Sequence, residues 1–241
     1  MYKILLTILS FLFICGFRFY NQDVAPEPAA EVIEKSSVRA QDFMVVAANP
    51  FASKAGYEIL RQGGNAVDAA IAVQMVLNVV EPQSSGIGGG GFLLYYDKLT
   101  RKTNYYQGRE TAPMHATSDI FLDDEGIPRD FFDVVRGGLS VGTPGLLKML
   151  RAAHQQHGKL PWHVLFKPAI KIAQNGFELS PRLHKVADYA NHISEFQETK
   201  ELYLKADNSV KDVGTIIKNP ELAKTLKIIA RKGVEPFYEG E

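Results

Sequence analysis

The chain has little cysteine: one residue, Cys15, in 241. That excludes an internal disulfide framework and any metal centre built from several thiolates. It has no excess of either charge, because 27 Lys and Arg balance 27 Asp and Glu. No basic run reads as a nucleic-acid patch, and the neutral total points to no polyanion. The chain has no G-x-x-x-x-G-K-[ST] phosphate loop, no serine in a G-x-S-x-G elbow, and no candidate catalytic cysteine. No cofactor is implied by any of these patterns. What the chain does have is glycine, concentrated in one place. Five of the six residues Gly86–Gly91 are glycine, in the stretch SSGIGGGGFLLYY at Ser84–Tyr96. Glycine is costly to order, so such a cluster marks backbone under close geometric constraint.

The length allows one large domain or two small ones. Lys3 precedes the almost wholly apolar Ile4–Ile14. That length suits a signal-peptide core and is short for a membrane span. Residues 1–22 are therefore read as a secretory signal giving a periplasmic or secreted protein, with an uncleaved membrane anchor as the alternative. Cys15 is one more apolar residue of that segment, or a faint lipoprotein signal. Residues 23–40 form an acidic, Pro- and Ala-rich linker, and residues 41–241 form the folded domain.

Within the domain, Phe43–Ala48 reads as a buried first strand, being short, apolar and β-branched. Ala52–Gln62 reads as a helix stopped by Gly63-Gly64, and Asn65 caps a second helix, Ala66–Val79, apolar nearly all round. Phe92–Tyr96 and Thr103–Gln107 form a hairpin through Asp97–Lys102. Ser118–Arg136 is an irregular excursion. Thr143-Pro144 opens a helix to about His157. Further helices cover about Pro161–Asn175, with Pro168 kinking or splitting it, then a segment from Ser180-Pro181, then one from Asn219-Pro220 to Gly233. After that, Phe237–Glu241 shows no element to tie the end down. The class is α+β, with more helix than strand. This balance implies that polypeptide outside the sequence completes the sheets.

The glycines match G-x-G-x-x-G through Gly86, Gly88 and Gly91, the dinucleotide fingerprint. That chemistry needs a strand before the loop and a helix after it, to set the pyrophosphate on the helix N-terminus. Here the order is reversed, so the run reads as a tight turn feeding a strand. The second candidate is Arg109 in YYQGRETAP at Tyr105–Pro113. A guanidinium just beyond a strand end is a planar clamp for a carboxylate or phosphate. The alternative for Arg109 is a local ion pair with Glu110. Glu110 has no second carboxylate at a pairing distance in sequence and reads as a structural partner. His154 and His157 sit one helical turn apart at a polar helix end, which favours a solvated C-terminus over a metal site. The chain thus offers a substrate clamp without a nucleophile.

These stretches resemble the N-terminal part of the γ-glutamyltranspeptidases (γ-glutamyltransferases). The resemblance is carried by Met44–Ala48, AGYEILRQGGNAVD at Ala55–Asp68, EPQSSGIGGGGF at Glu81–Phe92, GRETAP at Gly108–Pro113, VGTPG at Val141–Gly145, GKLPWHVLFKPAIKIA at Gly158–Ala173, and Gly176–Ser180. It implies an N-terminal-nucleophile hydrolase with a four-layer α-β-β-α sandwich, of which this is the N-terminal, large-subunit part. It further implies a precursor that cleaves itself and frees a threonine at the start of a small subunit. That threonine attacks the γ-glutamyl carbonyl of glutathione, and the acyl group passes to water, an amino acid or a dipeptide. Neither a metal nor an organic cofactor is implied. Arg109 matches the arginine that pairs with the substrate's α-carboxylate. No catalytic threonine of this kind lies in the chain, so by itself it is expected to be inactive. A β-lactam side-chain acylase of the same superfamily, or a noncatalytic secreted binding protein, are the alternatives.

Overall fold

Two asparagine-led helix starts organise the first half of the domain. Asn49 accepts a hydrogen bond from the Phe51 N–H at 3.0 Å, and Pro50 occupies the first turn, where its missing N–H costs nothing. Helix α1 therefore begins earlier than its apolar pattern indicates and spans Pro50–Arg61. Asn65 and Asp68 form a reciprocal capping box that starts α2, Ala66–Val80. This helix is buried on most of its circumference, as its sequence requires, and packs between α1 and α5, Trp162–Asn175. In turn α5 packs against α8, Pro220–Lys232, which starts at the Asn219 cap. The core is this row of helices, with Ile71, Met75, Leu165, Phe166 and Leu226 fully enclosed. Pro168 lies within α5 and does not split it.

The computed structural model describes residues 36–240. Residues 1–22, read from the sequence as a signal or anchor, and most of residues 23–40, read as a linker, lie outside these residues. Ser37–Glu241 makes one compact unit. The remaining elements are β1 (Phe92–Asp97), β2 (Lys102–Gln107), α3 (Phe131–Val134), α4 (Leu146–His157), β3 (Phe177–Glu178), α6 (Pro181–Tyr189), α7 (Gln197–Tyr203), β4 (Ile216–Ile217) and α9 (Glu235–Glu239), with a 3-10 turn at Asn191–Glu195. The chain is α+β, as expected. Strands β1 and β2 pair antiparallel from Phe92 opposite Gln107 to Asp97 opposite Lys102, and β3 pairs with β4. Asp97 holds the hairpin turn by accepting from the Leu99 N–H and the Thr100 hydroxyl, both at 2.9 Å. The inward hairpin face rests on α4: the Tyr106 hydroxyl meets Gln156 and His157 at 2.7 Å each, and the Tyr95 ring lies 4.4 Å from that of His157.

Four expectations are corrected. Phe43–Ala48 forms no strand, since no described residue pairs with it; instead Phe43 packs its ring on Tyr57 of α1 at 5.3 Å. Thr143 does not cap α4, because its backbone is engaged in a two-way bridge with Thr111, at 2.8 and 3.2 Å. The helix starts only at Leu146, after Gly145. The C-terminal segment is tied down: α9 forms, Val234 before it is buried, and the Lys148 ammonium sits 4.6 Å over the Tyr238 ring. His154 and His157 are not a solvated pair. His154 is largely enclosed, with Nε2 2.8 Å from the Leu160 carbonyl and 3.8 Å from Asp68.

Asp68 is the polar centre of this packing. Fully buried, it accepts hydrogen bonds from the backbone N–H groups of Asn65, Lys159 and Leu160 at 3.0–3.1 Å. It thereby ties the start of α2 to the connection between α4 and α5. Asp68→Ala removes a buried acceptor shared by three part-buried backbone donors and should lower unfolding stability by about 3 kcal/mol. Asn65→Ala removes the cap acceptor and the amide donor to the His157 carbonyl, and should cost less, about 1–2 kcal/mol. Urea unfolding followed by circular dichroism checks the order; equal losses would refute the central role of Asp68.

Candidate functional site

The site is built where the glycine run meets the end of the hairpin. The β1–β2 ladder continues one pair beyond the named strands, with Gly91 and Gly108 exchanging backbone hydrogen bonds at 3.1 and 2.9 Å. This lays Gly89-Gly90 directly along Gly108-Arg109-Glu110. A Cβ on Gly90 would stand 2.5 Å from the Gly108 carbonyl oxygen and 2.7 Å from the Arg109 Cα. No side chain fits there. A Cβ on Gly145 would likewise stand 2.6 Å from the Gly108 oxygen and 2.7 Å from that of Arg109. The Gly145 and Leu146 N–H groups then both donate to the Gly89 carbonyl at 3.2 Å, joining the run to the start of α4.

Arg109 is thus held by its backbone while its side chain stays 59% exposed. Its Nε donates to Glu110 Oε2 at 2.9 Å. Among the described residues the two terminal amino groups of Arg109 have no partner. The Glu110 carboxyl is held below the usual carboxylate range, first by its own backbone N–H, then by Arg109 and the Gly90 N–H. Its bond to Arg109 therefore stands at neutral pH and is lost only as pH falls through that lowered value. The ion-pair reading of Arg109 from the sequence is met. The pair with Glu110 occupies Nε, and the end of the guanidinium is exposed.

Arg109 and Glu110 line an open cleft of about 420 Å³ together with Gly88, Thr111, Ser140 and Gly142. The glycine run is accordingly both scaffold and wall: Gly90 supports Arg109 from beneath, and Gly88 faces the cleft with open space where a Cβ would be. Apart from Arg109, the lining holds one ionisable side chain, Glu110, and no histidine, lysine or cysteine. Two hydroxyls, of Thr111 and Ser140, complete its polar character, and the Ser140 hydroxyl donates to the Val135 carbonyl at 3.3 Å.

Sequence reasoning missed the group that anchors the start of the glycine run. Glu81, buried at the end of α2, accepts from Asn49 at 2.8 Å, Gln83 at 2.6 Å and Arg182 at 2.9 Å. Arg182 also donates to the Ser84 hydroxyl at 2.9 Å. Ser85 is fixed by Asn78 and Gln74 of α2, both at 2.7 Å. The EPQSS stretch before the glycines was a usable signal for Glu81 and the serines. Arg182, about a hundred residues away, had none.

The sequence matches the family described as Gamma-glutamyltranspeptidase over residues 52–241. The glutathione hydrolase proenzyme of Bacillus subtilis (strain 168) is 39% identical over 238 residues, which is 98% of this chain and 40% of the relative. The chain thus spans about two fifths of the length of that relative. Among solved structures, the γ-glutamyltranspeptidase of Helicobacter pylori is similar with a TM-score of 0.79 and 31% identity, covering 86% of this chain and 59% of that one. That of Pseudomonas nitroreducens, solved as a complex with L-DON, gives 0.75 and 36%, covering 84% and 58%. With a family match across most of its length, and with GRETAP and the glycine run packed into one cleft, the chain belongs to the γ-glutamyltranspeptidase family.

Proposed function

We propose that this chain supplies the carboxylate-binding half of an enzyme acting on glutathione and other γ-glutamyl amides. The observation that carries this reading is the exposed guanidinium end of Arg109, aimed from a rigid backbone in an open cleft. With Nε held by Glu110, the two terminal amino groups form a fork matching the two oxygens of an α-carboxylate. The γ-glutamyl group would then be fixed at one end, leaving its γ-carbonyl to a nucleophile outside the cleft lining.

The nucleophile in this proposal is a threonine exposed by cleavage of the precursor, in the part of the family's length that this chain does not span. The proenzyme naming of the relatives supports that reading. Its hydroxyl adds to the γ-carbonyl, the amide C–N bond breaks, and the departing amine takes the proton that the threonine's own α-amine accepted. Water or an amino acid then attacks the acyl ester. Residues 1–22 would direct export to the periplasm or the medium, an assignment supported by Lys3 and the apolar run after it.

Four outcomes test these statements. In the active, cleaved enzyme, Arg109→Ala should raise KM for γ-glutamyl-p-nitroanilide about 10- to 100-fold, the range for losing a charge-assisted carboxylate contact. An unchanged KM and kcat/KM would remove Arg109 from the site. Gly90→Ala should destabilise the fold by about 1–3 kcal/mol, because its methyl meets backbone, whereas Gly88→Ala should fold like the parent. Thermal unfolding of the two variants separates them. Purified residues 24–241 should show no turnover of γ-glutamyl-p-nitroanilide, and measurable turnover would place the nucleophile within the chain. N-terminal sequencing of the exported protein should find the apolar segment removed; a membrane-bound protein that retains it would favour the anchor.

A further inference from the structure

Helices α5 and α8 run antiparallel, as the Trp162 indole donating to the Ile229 carbonyl at 3.1 Å and the Asn219 N–H donating to the Ala173 carbonyl at 2.9 Å require. Between them lies an open groove of about 470 Å³. His163, Lys167 and Lys171 line one wall, and Lys227 and Arg231 the other. On each helix these residues are four apart, so Lys171 follows Lys167, and Arg231 follows Lys227, at about 6 Å along the groove. The half-buried Ile170 and the buried Ala230 form apolar parts of the lining. No carboxylate lines it.

Some exposed cations elsewhere are matched by acids: Arg61 by Glu58, Lys205 by Asp212, Lys224 by Glu221. Among the described residues Lys167, Lys171, Lys227 and Arg231, and His163 beside them, have no hydrogen-bond or ion-pair partner. Like charges four apart on a helix repel, so both helices carry an arrangement unfavourable to their own stability. In a chain whose charges sum to zero, that is a local segregation of one sign. The helical period disperses it along the sequence, so no basic run shows it.

We propose that this groove binds a linear phosphate-bearing polymer, laid lengthwise between α5 and α8. Cations repeat along both walls, which suits a chain of regularly spaced anions better than one isolated anion. The charges flank a recess with apolar patches, which admits a polymer strand, whereas a flat lipid surface meets only the rims. Lysine and arginine are the side chains suited to phosphate oxygens. None of the lining residues belongs to the Arg109 cleft, so the proposal stands independently of the catalytic reading.

The test is fluorescence anisotropy of a labelled linear polyphosphate with the full chain. Binding should weaken linearly in log–log form with added salt. The double variant Lys167→Glu, Lys227→Glu should lose at least about tenfold in affinity and show a shallower salt slope. A charge-matched control, Lys98→Glu, Lys102→Glu, at the hairpin turn should stay within about twofold of the parent. Vesicles of phosphatidylglycerol in phosphatidylcholine should show no binding that depends on Lys167 and Lys227. No binding of polyphosphate, equal losses in the two variants, or groove-dependent vesicle binding without polyphosphate binding would each overturn the proposal. All four substituted lysines are solvent-facing or half-exposed, so circular dichroism should show parent-like folding in both variants.

Discussion

Everything at the Arg109 cleft depends on one close contact, the approach of bare backbone to bare backbone between Gly89-Gly90 and Gly108-Arg109. Two strands of a ladder normally keep their side chains on either face. Here a third backbone, that of Gly145, closes on the same carbonyls. No side chain fits between these backbones, and the Gly91–Gly108 pair and the Gly145 and Leu146 bonds to Gly89 hold the segments on either side of the contact. A long, flexible arginine is thereby launched from one of the most constrained points in the chain. Glu110 then removes freedom at the far end by holding Nε. Rigidity at both ends lowers the ordering entropy that the proposed carboxylate ligand would otherwise have to overcome.

Two acidic side chains at opposite ends of α2 hold that contact in place. Asp68 gathers backbone donors at its start, and Glu81 gathers Asn49, Gln83 and Arg182 at its end. A carboxyl removed from water is tolerable only when its oxygens are fully bonded, and both meet that condition. The consequence is geometric. Once its two ends are tied, the apolar α2 fixes where the glycine run leaves the helical row, and therefore where Arg109 stands. The same row sets α5 beside α8 and creates the basic groove on the outer side of that pair.

Much of this was legible along the chain. Helix α2 announced itself through the Asn65 cap and an apolar run of helical length, and α8 through Asn219-Pro220. The hairpin followed from two β-rich runs around a polar turn, and Arg109 from its place beyond a strand end. The misses share a cause: each concerns a residue whose partner is remote. Phe43–Ala48 has the composition of a strand, but a strand requires a neighbour, and the segment lies along α1 instead. Thr143 carries a helix-cap signature, yet its backbone is taken by Thr111. His154 and His157 sit among glutamines at a helix end, and only the packing of α4 on the hairpin and on Asp68 encloses them.

Local chemistry is thus what the sequence determined by itself. Apolar period, caps and turn residues act within a few positions, so helices and the hairpin could be read directly and the glycine run singled out, while only the fold shows that Gly90 is the one pressed against backbone. The tertiary structure decided which of those local features share a space. It brought Gly88 to the same cleft as Arg109, paired Glu81 with Arg182 across the fold, and gathered lysines from two helices of a neutral chain into one groove. Those outcomes rest on contacts between positions some twenty to a hundred residues apart, and no pattern within a short window encodes a distance through space.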